Sequence, residues 1–131
     1  MNARARLPLA LTLGEPAGIG PDLTLAVWRR RAELDLPVFY LIGDADFLNR
    51  RARVLGLDVP TAIVKPAEAN AVFDRALPVV PLGLPITAMP GKPDATSAPA
   101  AIASIRRAVA DVLLGHAAAV VTNPVAKNVL Y

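Results

Sequence analysis

The amino-acid sequence predicts an α/β domain with a mostly parallel sheet, on three observations. Apolar runs of the length of buried strands recur along the chain: "LPLALTL" (Leu7–Leu13), "VFYLIGD" (Val38–Asp44) and "AAAVVT" (Ala117–Thr122). Segments with helical periodicity separate them. The first run opens directly into "GEPAGIGPD" (Gly14–Asp22), which holds three glycines, two prolines and two carboxylates in nine residues. That loop stands at the carboxyl end of a strand, where open α/β sheets gather their ligands.

The elements follow in order. Leu7–Leu13 reads as a buried strand. A helix is expected from near Pro21, because proline suits the first helical position and Asp22 suits the positive end of the helix dipole. Val38–Asp44 leads into "ADFLNRRARVLG", where Phe47, Leu48, Arg51, Val54 and Leu55 share one face and Gly56 is a natural stop. Thr61–Val64 and Leu77–Leu82 are shorter strand candidates, the second confined by its prolines to an edge or a strand end. The Pro- and Gly-rich stretch Pro81–Pro93 reads as a loop or extended arm. "ATSAPAAIASIRRAVADVLLGH" gives the clearest helix. Ser97 is its expected cap and Ile102, Ile105, Val109, Val112 and Leu113 its apolar stripe. Arg107 is expected on the outer face, able to pair with Asp111 one turn on, and Gly115 ends the helix.

Composition narrows the function. The chain has 131 residues, 54% apolar, 19% charged and 5% aromatic, which is globular and enough for one domain. The net charge of +3 comes from scattered Lys and Arg with no basic tract interleaved with aromatics, so no nucleic-acid partner is expected. "WRRR" (Trp28–Arg31), the densest cluster, reads as a solvated helix face. No cysteine is present, which excludes disulfides and thiolate metal sites. Two arginines precede the first apolar run, as in a signal peptide. That run is about seven residues long, however, and continues into Gly-Glu-Pro with no small-residue cleavage site. A buried strand accounts for it, and the expected compartment is the cytoplasm. No run approaches the roughly 18 apolar residues of a membrane span.

The glycine loop does not fit the common phosphate cradles. A dinucleotide fingerprint needs G-x-G-x-x-G, but after Gly18 and Gly20 the third position is Leu23, and a Walker loop needs Gly-Lys-Ser/Thr. Glu15 within the loop would repel a phosphate. On the residues alone, a ligand loop and a tight turn that starts a helix both stay open. So does the choice between ligand contact and structural cap for Glu15 and Asp22.

"TLGEPAGIGPD" resembles the N-terminal signature of the 4-hydroxythreonine-4-phosphate dehydrogenase family, the NAD-dependent enzymes of pyridoxal phosphate biosynthesis. It is also similar to the Gly-Asp-Gly-Ile-Gly-Pro-Glu loop of isocitrate and isopropylmalate dehydrogenases, whose fold that family shares. "IGDADFLNRRARVLGL" and "GKPDATSAPAAIASIRRAVADVLLGHAAAVVTNPVAKNVLY" resemble the same family in the same order, and Pro66–Leu84 matches it loosely. The resemblance implies a three-layer α/β/α fold like that of isocitrate and isopropylmalate dehydrogenases, here incomplete: residues 1–131 as the N-terminal portion of a larger dehydrogenase, inactive alone. It implies oxidation of a phosphorylated secondary alcohol by NAD or NADP, then loss of carbon dioxide from the β-keto acid, with a divalent zinc, magnesium or cobalt ion polarising the oxygen. A homodimer is implied for the full-length enzyme.

The family's three metal-binding histidines and its Gly-His-Thr-Glu stretch have no counterpart in this sequence. Its one histidine, His116, sits at a helix-to-strand junction and reads as a capping or surface residue, so no metal site is expected within the chain. "TNPVAK" follows the family's Thr-x-Pro-x-x-Lys pattern, with Ala126 where many members carry histidine. Lys127 is thereby the catalytic candidate, neutralising a phosphate or carboxylate or assisting proton transfer. Glu15, Gly18, Gly20, Asp22, Thr122 and Asn123 are the candidate cleft residues. Two alternatives accompany this reading: a sister dehydrogenase acting on phosphorylated threonate or erythronate, and a short non-catalytic binding domain of the same fold. An apolar flank, covered by another chain or by sequence disordered in the sample, is expected where the sheet lacks strands.

Overall fold

The computed structural model describes residues 7–125. Five strands form one parallel sheet: β1 (Leu9–Thr12), β2 (Phe39–Gly43), β3 (Thr61–Ile63), β4 (Leu77–Pro81) and β5 (Val120–Val121), in the order β3-β4-β2-β1-β5. The helices are α1 (Gly20–Arg29), α2 (Ala45–Leu55), the short α3 (Ala69–Val72) and α4 (Ser97–Leu113). The alternation read from the sequence is therefore real. The strand cores are shorter than their apolar runs, most of all β5, where Ala117–Thr122 contributes only two paired residues.

Crossover handedness sorts the helices. The steps from β1 to β2 and from β2 to β3 run one way across the sheet, and those to β4 and β5 run the other. Right-handed connections then place α1 and α2 on one face and α3 and α4 on the opposite face. The core divides accordingly. Leu25, Trp28, Leu48 and Ala52 pack on Phe39, Leu41, Leu77 and Val79. Ala69 and Ala108 pack on Ala10, Tyr40, Ile42 and Val80 beneath the other side. Each large side chain buried in this way contributes roughly 1.5–3 kcal/mol.

Local chemistry explains most of the boundaries. Proline in the first turn and Asp22 open α1. The Asp44 carboxylate accepts from the Phe47 N–H at 2.9 Å to cap α2, and Gly56 at φ 68° closes it in the left-handed conformation that favours glycine. Among the described residues no helix is long and apolar enough to cross a membrane.

Several expectations are corrected. β4 is an internal strand: its pairing with β2 begins at Val79, so Pro78 falls before the ladder that its missing N–H would break, and Pro81 ends it. Trp28 is core, its indole N–H donating to the Phe73 carbonyl at 3.0 Å, and the half-buried Arg31 stacks on its ring, while Arg29 and Arg30 stand in solvent as expected. On α2, Val54 and Leu55 are exposed while Ala45 and Ala52 are buried with Phe47, Leu48 and Arg51. Ser97 is the first helical residue of α4, with Thr96 before it, and its hydroxyl accepts from the Asp94 N–H.

The predicted stripe of α4 is not its buried face: Ile102, Ile105 and Val112 are only partly buried, and Val109 and Leu113 are exposed. The buried face is Ser97, Ala100, Ala101, Ser104, Ala108 and Asp111, whereas Val109 is 46% and Leu113 81% exposed. Small residues let the helix approach the sheet closely. Ser104 Oγ accepts from the Leu13 N–H at 2.9 Å and donates to the Ile42 carbonyl at 2.8 Å. The Arg107–Asp111 pair forms at 2.9 Å, but Asp111 is buried and also accepts from the Tyr40 hydroxyl at 2.6 Å. Arg107 is thus tied to the core rather than free on the surface. Burial first, and then the Asp111 contact, push the Tyr40 phenol well above its usual range.

Candidate functional site

The strand order reverses at β1, because the chain leaves it toward β2 on one side and returns to β5 on the other. Loops diverge at such a point and leave a crevice at the carboxyl ends of the strands. Here the glycine loop from β1 meets the residues that follow β5.

The glycines are explained by that meeting. Gly14 has φ 73°, and a Cβ there would stand 2.6 Å from the Pro124 carbonyl oxygen and 2.8 Å from Asn123 Cβ. At Gly20 a Cβ would lie 2.9 Å from the Leu13 carbonyl oxygen and 3.2 Å from Asn123 Cβ. Cβ contacts under 3.0 Å do not occur in folded proteins, so Gly14 makes room for the exit from β5, and Gly20 for the Leu13 carbonyl with Asn123 as a tight second neighbour. Asn123 then locks the junction. Its Nδ2 donates to the Thr12 carbonyl and to Thr24 Oγ1, each at 2.9 Å, and its N–H donates to Thr12 Oγ1 at 3.2 Å. The Glu15 N–H donates to the Pro124 carbonyl at 2.9 Å.

The amides of Ala17 and Gly18 are used within the loop. Glu15 is 7% exposed; its Oε1 accepts from the Ala17 N–H at 2.9 Å, and its backbone carbonyl accepts from the Gly18 N–H at 3.0 Å. Glu15 Oε2 is buried with no hydrogen-bond partner among the described residues. A buried carboxylate that consumes the nearby donors is a poor cradle for an anion.

Asp22 lies in the first turn of α1, 2.5 Å from Arg51 Nη1. The Arg51 side chain, 3% exposed, also donates to the Gly18 carbonyl at 3.1 Å and the Pro16 carbonyl at 2.6 Å. Sequence reasoning placed Arg51 in the apolar stripe of α2 without a role. A long cation within such a stripe is itself the signal, since arginine is rarely buried unless paired.

Other groups complete the surroundings. The arm over Pro81–Pro93 reaches the loop through the Gly91 N–H, which donates to the Ala17 carbonyl at 2.7 Å, and Arg50 Nη2 donates to the Ile86 carbonyl at 2.8 Å. Thr122 is exposed beside Asn123. It borders an apolar groove of about 320 Å³ lined by Leu9, Leu11, Leu23, Val27, Phe39 and Val121, so the structure has an open apolar flank at β5. The structure thus brings Glu15, Gly18, Gly20, Asp22, Thr122 and Asn123 to one end of the sheet. Lys127 lies outside the described residues. His116 is half-exposed and faces Asp111 at 3.7 Å, on the α4 side. Among the described residues no group of three or more His, Cys, Asp or Glu side chains could hold a metal ion.

Comparison with known proteins points one way. A 4-hydroxythreonine-4-phosphate dehydrogenase of Bradyrhizobium diazoefficiens is 59% identical over 100% of this chain and 40% of its own length. One of Xanthobacter autotrophicus is 54% identical over 97% of this chain and 36% of its own. The chain therefore spans about 40% of the length of these relatives. The crystal structure of the enzyme of that name from Burkholderia phymatum superposes with a TM-score of 0.83 at 25% identity, over 95% of this chain and 38% of that one. The Klebsiella pneumoniae enzyme gives 0.77 at 31% identity, over 95% and 39%. The family model described as pyridoxal phosphate biosynthetic protein PdxA matches residues 35–131. The chain belongs to the PdxA family of pyridoxal phosphate biosynthesis.

Proposed function

We propose that this chain forms one wall of the active-site cleft of a 4-hydroxythreonine-4-phosphate dehydrogenase. In this reading a phosphorylated amino-acid alcohol is oxidised with NAD or NADP, and the resulting β-keto acid loses carbon dioxide, in a cytoplasmic homodimer. The observation that carries the proposal is identity above half, over nearly the whole chain, to relatives bearing that name.

The described residues do not fit either auxiliary group. The amides of Ala17 and Gly18 are occupied and Glu15 is buried beside them, so this part of the loop is a poor pyrophosphate cradle. Among the described residues no group of carboxylates and histidines fits a divalent ion. The metal ion is therefore assigned to residues beyond this chain, and the chain alone is expected to be inactive.

What the chain supplies in this reading is position. Asn123 pins the exit of β5 to β1 and α1, which fixes the point from which "PVAK" departs. We assign Lys127 to the substrate's phosphate or carboxylate as a charge-assisted donor. Joining residues 1–131 to the remainder of the Bradyrhizobium relative gives a chain in which to test this. The expected result is NAD- or NADP-dependent turnover of 4-hydroxythreonine 4-phosphate. A folded chimera that acts only on phosphorylated threonate or erythronate would assign the sister activity, and one with no turnover would refute the proposal. Within it, Lys127→Met should lower kcat/KM by roughly 10- to 150-fold, the equivalent of one charge-assisted contact made in the transition state. The exposed Arg106→Met is the control.

A further inference from the structure

We propose that Arg51 is a positioning residue that sets the shape of the Gly14–Asp22 loop and, through it, the seating of the Pro81–Pro93 arm. One buried guanidinium reaches three points of the loop: the Pro16 carbonyl, the Gly18 carbonyl and the Asp22 carboxylate. Two of these are backbone carbonyls on either side of Ala17. Holding both fixes the Ala17 carbonyl, which is the acceptor for the Gly91 N–H of the arm at 2.7 Å. The preceding residue, Arg50, grips the arm itself at the Ile86 carbonyl. Consecutive arginines of α2 thus hold the loop and the arm, and the Gly91–Ala17 bond joins the two.

The chemistry requires arginine. Its planar fork presents several donors in fixed directions, and the Phe47 ring, 5.5 Å from the guanidinium carbon, supports it. Lysine would keep the charge and the pairing with Asp22, but a single ammonium cannot serve two carbonyls and a carboxylate in this geometry. Burial also removes water as an alternative partner, so the freed carbonyls would be left unsatisfied. That the loop borders a catalytic cleft rests on the function proposed above; the brace does not.

The test is amide hydrogen exchange on the 131-residue chain, read at Ala17, Gly18 and Gly91, with the amides of β2 and β4 as internal reference. Arg51→Met should speed exchange at all three sites at least tenfold, Gly91 included although Arg51 does not touch it, with the reference amides unchanged. Arg51→Lys should fail to restore protection, and Asp22→Asn should leave Ala17 and Gly18 near the parent values. Rescue by lysine, or an Asp22→Asn variant as labile as Arg51→Met, would reduce Arg51 to one half of an ion pair and overturn the proposal. Uniform acceleration across the sheet would make it a general core residue, which also overturns it. If Arg51→Met does not fold, Arg51→Lys decides, because the buried charge and its Asp22 partner are retained.

Discussion

Gly14→Ala isolates why the loop is rich in glycine. Two costs act at this position. The left-handed backbone at φ 73° costs an alanine roughly 1–2 kcal/mol. The new Cβ must also displace Pro124 and Asn123, which it would meet at 2.6 and 2.8 Å. Moving them strains or breaks the Glu15–Pro124 bond and the Asn123 bonds to Thr12 and Thr24, each contributing about 1 kcal/mol. The expected loss is about 3–5 kcal/mol, read as the shift in a urea transition followed by Trp28 fluorescence. Two controls separate the costs. Gly83 has φ 74° and nothing within 4 Å of where a Cβ would stand, so Gly83→Ala carries the backbone cost alone, about 1–2 kcal/mol. Gly20 has no positive φ, so Gly20→Ala carries only the clash with Leu13 and Asn123. If Gly14→Ala costs no more than Gly83→Ala, the close approach of the β5 exit is not what requires glycine.

Three further outcomes follow from the same geometry. Ser104→Ala leaves the Leu13 N–H and the Ile42 carbonyl without their shared partner, and thermal unfolding should show a loss of about 1–3 kcal/mol. Asp94 accepts from the Thr96 hydroxyl, the Thr87 hydroxyl and the Thr96 N–H, which hold its carboxyl below the usual carboxylate range. Its folded-state value is the lower one, so its stabilisation of the arm is present above the unfolded value of about 3.9 and is lost as pH falls through the folded value. Exchange at the Thr96 amide should show that acid step in the parent and lack it in Asp94→Asn. Calorimetric titration of the chain with zinc or magnesium should reveal no stoichiometric submicromolar site; finding one would show that the metal chemistry has been misplaced.

The fold was legible because buried parallel strands and crossover helices have different periods, and β1, α1, β2, α2 and α4 stand where those periods change. What periodicity does not show is which side of a helix can come closest to a sheet. In α4 the large side chains form the obvious stripe, yet Ala100, Ala101, Ser104 and Ala108 face inward because small residues permit the closer approach. The site was legible as a place rather than as a mechanism of holding. "GEPAGIGPD" marked the crevice, but the need for Gly14 comes from Asn123 and Pro124, at the far end of the chain, and that for Gly20 from the Leu13 carbonyl with Asn123 close behind. Arg51 was visible only as a charge in the wrong stripe, since its three acceptors are two carbonyls and a carboxylate from another βα unit.

The central claim is that the glycine loop clamps the β5 exit and does not cradle the phosphate. A crystal structure of the chimera with 4-hydroxythreonine 4-phosphate bound tests this most directly. The account predicts ligand in the crevice at the carboxyl ends of β1 and β5, with the Ala17–Glu15 and Asn123–Thr24 hydrogen bonds intact and the phosphate away from the loop amides. A phosphate seated on the N–H groups of Ala17 and Gly18, with the Glu15 carboxylate turned out, would contradict it.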